Sequence, residues 1–167
     1  MSQAPMSRRR FLSGGPATTD RRVCPPGASM ESLAAACTGC GRCEKRCPTR
    51  IIRLVDGLPS LDFSGGECTF CGECAASCPE PVFVADRVDR FAHVAAVGDS
   101  CLAKRGVTCQ SCGEACLQQA IRFRPRIGGP FLPELRADLC NGCGGCIAGC
   151  PVSAITLQQR SMEAADA

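Results

Sequence analysis

Hydrophobic residues in this chain fall in short runs, and one arrangement returns four times: an apolar pair at Ile51-Ile52, Val82-Phe83, Ala120-Ile121 and Ala154-Ile155. Each pair reads as the start of a β-strand. The clearest pattern is at residues 121 to 127, where Ile121, Phe123 and Ile127 alternate with Arg122, Arg124 and Arg126, the period of a half-buried strand. Ser29 to Ala36 has helical spacing instead and predicts a short helix with Met30, Leu33 and Ala34 on its inner face. Gly128-Gly129-Pro130 to Pro133 reads as a turn-rich connection. No apolar run approaches the roughly 18 residues that cross a bilayer, so no membrane span is expected.

A cysteine stands four residues before every apolar pair, and it closes a repeat. Cys37, Cys40, Cys43 and Cys47 follow Cys-x-x-Cys-x-x-Cys-x-x-x-Cys-Pro, ending at Pro48. The pattern returns at Cys68, Cys71, Cys74, Cys78 and Pro79, and again at Cys140, Cys143, Cys146, Cys150 and Pro151. Between these lies an irregular unit, Cys109, Cys112 and Cys116, with Gly106 in the first position, Leu117 in place of proline, and Cys101 as the candidate for the missing cysteine. Cys24 is left without a role.

Each unit predicts a ligand loop, a helical turn through the fourth cysteine and a strand. The cysteine-free stretch 85–100 divides the units into pairs. The expected fold is α+β: two tandem ferredoxin-like lobes with short strands and helices, residues 29–84 and 101–158, joined by a linker at 85–100. A flexible basic tail at 1–28 and a short tail at 159–167 complete the chain.

Composition changes what must hold these lobes together. The chain has 167 residues with 17 cysteines, seven Phe, and no Trp or Tyr, so large side chains fill little of a core. Ordering costs about 1.5 kcal/mol per residue and apolar burial offsets it only about evenly in a domain this small, which calls for disulfides or metal. Disulfides need an oxidising compartment. Ser7-Arg8-Arg9-Arg10-Phe11-Leu12 resembles a twin-arginine export motif, but the residues that follow are polar and glycine-rich instead of apolar. A cytoplasmic chain with reduced thiols is therefore expected, and metal is favoured.

The formal charge of +3 counts every cysteine as neutral. Four 4Fe-4S centres, each about −2 with its thiolates, would bring it to roughly −5, so composition gives no support to a nucleic-acid partner.

Three cysteines at intervals of three in a loop can aim their sulfurs at three corners of one cube, while the fourth comes from elsewhere. Intervening residues such as Gly41, Gly72, Asn141-Gly142 and Gly144-Gly145 let the backbone approach the sulfurs. In two-cluster ferredoxins the fourth cysteine of each run ligates the other run's cluster. That rule groups Cys37, Cys40 and Cys43 with Cys78, and Cys68, Cys71 and Cys74 with Cys47. It groups Cys101, Cys109 and Cys112 with Cys150, and Cys140, Cys143 and Cys146 with Cys116. Three 4Fe-4S clusters are expected from the regular runs and a fourth from the irregular one. Structural zinc more often pairs two separated doublets. For the 101 to 116 unit, zinc, a partial cluster and no metal stay open.

His93 reads as a packing or surface residue. Arg122, Arg124 and Arg126 read as a solvated strand face, with docking of an acidic partner as the alternative. No phosphate loop, paired catalytic carboxylates or nucleophile with a base stands out, so an independent active site is not expected. The residues leave open one-electron transfer, a cluster-bearing assembly factor and a purely structural metal scaffold.

The whole chain resembles the NapF family, ferredoxin-type accessory proteins of the periplasmic nitrate reductase system. The resemblance rests on the Ser-Arg-Arg-Arg-Phe-Leu start, the three regular runs, and the irregular stretch Ser100-Cys101-Leu102-Ala103 to Cys109-Gln110-Ser111-Cys112, followed by Ala120-Ile121-Arg122-Phe123-Arg124-Pro125. It implies a cytoplasmic protein that interacts with the precursor of NapA, the molybdenum-containing catalytic subunit, before export. A part in NapA maturation, by supplying electrons or helping its cluster, comes with the resemblance, as does a redox donor protein as a further partner. The competing reading is an electron-transfer polyferredoxin subunit of a quinol- or formate-linked oxidoreductase complex.

Overall fold

Asp56 and Gly57 take left-handed backbone angles, φ 51° and 78°, and join the strands Ile52–Val55 (β1) and Leu58–Leu61 (β2) into an antiparallel hairpin. Asp-Gly suits a two-residue hairpin turn because both central positions need positive φ. The protein is described by a computed structural model covering residues 22–84 and 89–160. The Ser-Arg-Arg-Arg-Phe-Leu start lies outside the described residues.

Residues 22–28, read from the sequence as part of a tail, lie against the first lobe. The Arg22 guanidinium donates to the Val55 carbonyl at 3.0 Å, the Leu61 amide to the Val23 carbonyl at 2.8 Å, and Pro25 is fully buried. The helix α1 (Met30–Ala36) starts at a capping box in which Ser29 Oγ accepts from the Ser32 amide and Ser32 Oγ from the Ser29 amide. Such a cap contributes about 1 kcal/mol. The inner face is narrower than expected: Leu33 is fully buried, whereas Met30 and Ala34 are exposed.

Four further helices are single turns: α2 (Arg42–Arg46), α3 (Glu73–Ala76), α4 (Ser111–Glu114) and α5 (Gly145–Ala148). Each carries the third cysteine of its unit and stops before the fourth, so the expected helical turn ends one step early. Glycine in the left-handed region begins three of them, at Gly41, Gly72 and Gly144, while Gln110 at φ −133° begins α4. The irregular unit thus enters its helix by a different backbone route.

The second lobe is closed by β3 (His93–Val97), antiparallel to β6 (Ile155–Gln159), with His93 opposite Gln159 and Val97 opposite Ile155. Residues 93–97 had been read as linker. They form a strand because Val94 and Ala95 are buried beside Ile121 and Ile155 in one apolar cluster.

Inserted between these strands is the hairpin of β4 (Ile121–Arg126) and β5 (Gly129–Leu135). Most of the stretch read as a turn-rich connection is therefore strand, and its prolines are tolerated because β5 is an edge. The register slips between Arg124 and Arg126, around Pro125. Ile127 consequently leaves the inner side and stands fully exposed in the turn.

The lobes touch. Phe91, Ile51, Ile52, Leu61, Phe63 and Cys74 form a core cluster against which Ile147 and Leu157 of the second lobe pack. Beyond β6, the Arg160 amide donates to the Ala92 carbonyl at 3.0 Å; the described chain ends there. The whole is a small mixed α+β arrangement. Among the described residues, no helix is long and apolar enough to cross a membrane.

Candidate metal centres

The short helices and the exits behind them place cysteines from two units around each of four cavities. Cys37, Cys40, Cys43 and Cys78 line the first, and Cys47, Cys68, Cys71 and Cys74 the second. In the second lobe, Cys116, Cys140, Cys143 and Cys146 line a third cavity, and Cys101, Cys109, Cys112 and Cys150 a fourth. Every fourth-position cysteine faces the cavity of the partner unit. Cys24 lines none of the four.

The crossing has a local cause. The fourth cysteine lies within two residues of the helix end and leads the chain away from its own loop. Three residues later the chain reverses through a left-handed residue: Arg50 at φ 54°, Gln119 at 50° and Ser153 at 49°. That reversal turns the next amide back towards sulfur. Ala120 N–H donates to Cys116 Sγ and Ala154 N–H to Cys150 Sγ, each at 3.2 Å. In the first unit burial works against ionisation of Cys47, but the Thr49 hydroxyl and the Ile51 and Ile52 amides hold its thiol below the ordinary value.

The second unit has Pro81 at the corresponding position, and proline cannot take positive φ. Val82 is buried there, but no strand begins at Val82-Phe83, contrary to the repeat pattern.

Six of the thiols resist ionising while they stand alone. Burial, reinforced by neighbouring cysteines, pushes Cys68, Cys74 and Cys112 up to about 11 and Cys146 up to about 12. Burial likewise raises Cys43 and Cys143, while the exposed Cys40 is held low by the Arg42 amide. Four thiolates around one cavity need a cationic core, and its binding would displace their protons.

Among the described residues no group of three or more His, Cys, Asp or Glu is arranged to hold a single metal ion. A lone tetrahedral zinc draws its sulfurs to about 2.3 Å from one point, whereas these quartets surround a volume. All-thiol donors, apolar walls and amides aimed at sulfur fit a 4Fe-4S cluster.

Sequence reasoning grouped these cysteines from their spacing and the crossed ligation of two-cluster ferredoxins. It missed four neighbours. The amides of Ala120 and Ala154 were visible only as the first members of apolar pairs. His93, buried and stacked on Phe91 at 4.7 Å, donates from Nε2 to the Gly142 carbonyl at 2.9 Å inside a ligand loop. Glu67 of the first lobe reaches α5 of the second, where a Cβ built on Gly145 would lie 2.3 Å from Glu67 Oε2.

The 4Fe-4S dicluster domain family matches the chain twice, over residues 36–82 and 107–154. The ferredoxin-type protein NapF of Escherichia coli (strain K12) is 40% identical over 154 residues, covering 91% of this chain and 94% of that protein. NapF of Haemophilus influenzae is 44% identical over 135 residues, 80% of this chain and 77% of that protein. The ferredoxin-type protein NapG of Escherichia coli (strain K12) is 30% identical over 153 residues, 77% of this chain and 66% of its own length. With two dicluster domains, each enclosing two cysteine-lined cavities, and near-full-length similarity to ferredoxin-type proteins of one kind, the chain belongs to the NapF family of 4Fe-4S proteins.

Proposed function

We propose that this chain is a cytoplasmic iron-sulfur accessory protein that binds the precursor of NapA, the catalytic subunit of periplasmic nitrate reductase. On this reading it supports NapA maturation before export by passing it electrons. The similarity to NapF over 91% of the chain carries the proposal, and the four cysteine quartets supply its chemistry. Each quartet is assigned as the ligand set of one 4Fe-4S cluster, including the set completed by Cys101.

A bound cluster supplies reversible one-electron chemistry at potentials between roughly −700 and +450 mV. The chain's own residues do the rest. Buried sulfurs set the centres in apolar surroundings, amides such as those of Ala120 and Ala154 temper the charge on sulfur, and the exposed Cys40 and Cys71 bring two quartets to the surface. A redox donor protein would meet the chain at such an edge.

Anaerobic pull-down from cells tests the partner: recovery of unexported NapA is expected. Stable copurification with a membrane quinol- or formate-linked oxidoreductase, without NapA, would replace this reading with the electron-transfer subunit. Iron and acid-labile sulfide analysis tests the cofactor, with about 16 irons expected for four clusters and about 12 for three.

A further inference from the structure

The amide of Cys68 donates to the carbonyl of Cys143 at 2.8 Å. The two residues belong to different lobes, and each lines the inner cavity of its own: Cys68 with Cys47, Cys71 and Cys74, Cys143 with Cys116, Cys140 and Cys146.

Contacts on both sides fix this meeting. The Phe91 amide donates to the Asn141 carbonyl at 2.9 Å, and His93 holds the Gly142 carbonyl. Phe63 of the first lobe lies so close to Gly144 that a Cβ there would stand 2.1 Å from its ring, and Gly144 at φ 86° is already a position that disfavours a side chain. Glu67, next to Cys68 in the chain, brings its carboxylate to the start of α5.

We propose that the Cys68–Cys143 hydrogen bond is the electron path between the lobes, and that Glu67 tunes the potential of the centre on its second-lobe side. The inference rests on the 4Fe-4S reading above. It makes the four quartets one series: outer and inner of the first lobe, then inner and outer of the second.

Electronic coupling falls steeply across empty gaps and less steeply along bonds. A route consisting of the two cysteines' own covalent bonds and one hydrogen bond crosses the interface without a gap. With clusters bound, one electron would pass per event, the inner site of one lobe losing it as the inner site of the other gains it, with no covalent bond changed and no proton moved. An external one-electron carrier loads one end, and an oxidised one-electron acceptor empties the other. Glu67 places negative charge beside the second inner quartet, which disfavours an added electron there and lowers that potential.

The test uses the metal-loaded full chain under dithionite. The double variant Cys40→Ala with Cys109→Ala removes a ligand from each outer quartet and leaves the two inner ones complete. Its paramagnetic resonance spectrum is expected to be split or broadened by coupling between the remaining centres. Two sharp, independent signals would overturn the path. In the otherwise unaltered chain, Glu67→Gln is expected to raise the midpoint potential of the signal lost in Cys146→Ala and to leave the signal lost in Cys40→Ala unmoved. Unchanged potentials would overturn the role of Glu67. Should the double variant fail to retain iron, Cys40→Ala and Cys109→Ala made singly, each of which leaves both inner quartets complete, are expected to show the same splitting, and sharp, independent inner signals in both would overturn the path. A chain that carries its clusters with uncoupled inner signals leaves the proposed function standing, whereas a chain that carries none overturns both.

Discussion

Ala154 N–H reaches Cys150 Sγ at 3.2 Å because Ser153, at φ 49°, reverses the chain between them. The same reversal serves Ala120 and Cys116 through Gln119. Hydrogen bonds to ligand sulfur raise a cluster's potential by stabilising the more negative, reduced state. Cys150 faces the cavity of Cys101, Cys109 and Cys112, so the effect belongs to that centre and not to the one built on its own run. Ser153→Pro, which cannot take positive φ, is expected to break the contact and lower the potential of the Cys101 centre. Ser153→Gly keeps the turn and leaves that potential in place. Potentiometric titration followed by paramagnetic resonance distinguishes the two variants.

Cys47 lines the cavity of Cys68, Cys71 and Cys74, away from the other three cysteines of its run. Cys47→Ala is therefore expected to damage the centre of the second run and to spare that of Cys37, Cys40 and Cys43. Iron content and the spectrum of the reduced variant report which centre is lost. Loss of the first-run signal with the second intact would contradict crossed ligation.

The runs of cysteines were legible because ligand spacing is a local, covalent constraint that three regular copies state in full and the irregular one in part, and their crossed grouping followed from the rule for two-cluster ferredoxins. The strand starts at Ile52, Ile121 and Ile155 were legible for the same reason. What escaped depends on partners far away in sequence. His93 to Val97 has no strong alternation of its own and becomes a strand by pairing with residues 155–159. Arg22 to Ala28 looked like tail because its partners, Val55 and Leu61, lie in the β1–β2 hairpin. Ile127 followed the alternation on paper, but the slip at Pro125 cancels the two-residue phase. The missing strand of the second unit, at Val82-Phe83, was readable in principle: Pro81 stands where the other units have a residue at positive φ.

Raised thiols make the cluster-free chain sensitive to alkali. Cys68, Cys74 and Cys112 rise from an ordinary 9.0 to about 11 on folding, and Cys146 to about 12, with burial as the main cause. The folded chain thus keeps protons that the unfolded chain gives up between these values. These four thiols leave stability unaffected below about pH 9 and lower it as pH rises towards 11 and beyond, because the unfolded state then gains by ionising. Denaturant unfolding of the reduced, chelator-treated chain, kept anaerobic, should show a lower midpoint at about pH 10 than at about pH 8. The iron-loaded chain should not show this drop, since ligation has already displaced those protons.

Leu33 is fully buried, while Met30 on the preceding turn of α1 is 39% exposed. A helix this short is marginal by itself, so its docking depends on that one side chain and on the Ser29 capping box. Leu33→Ala should cost about 2–5 kcal/mol of first-lobe stability, and Met30→Ser no more than about 0.5 kcal/mol. Leu33 also lines the cavity of Cys37, Cys40, Cys43 and Cys78, so the truncation opens apolar wall beside those sulfurs. Urea unfolding measures the first effect. The second should appear as faster bleaching in air of that centre alone, and equal bleaching of all centres would show that Leu33 stabilises the lobe without shielding its metal.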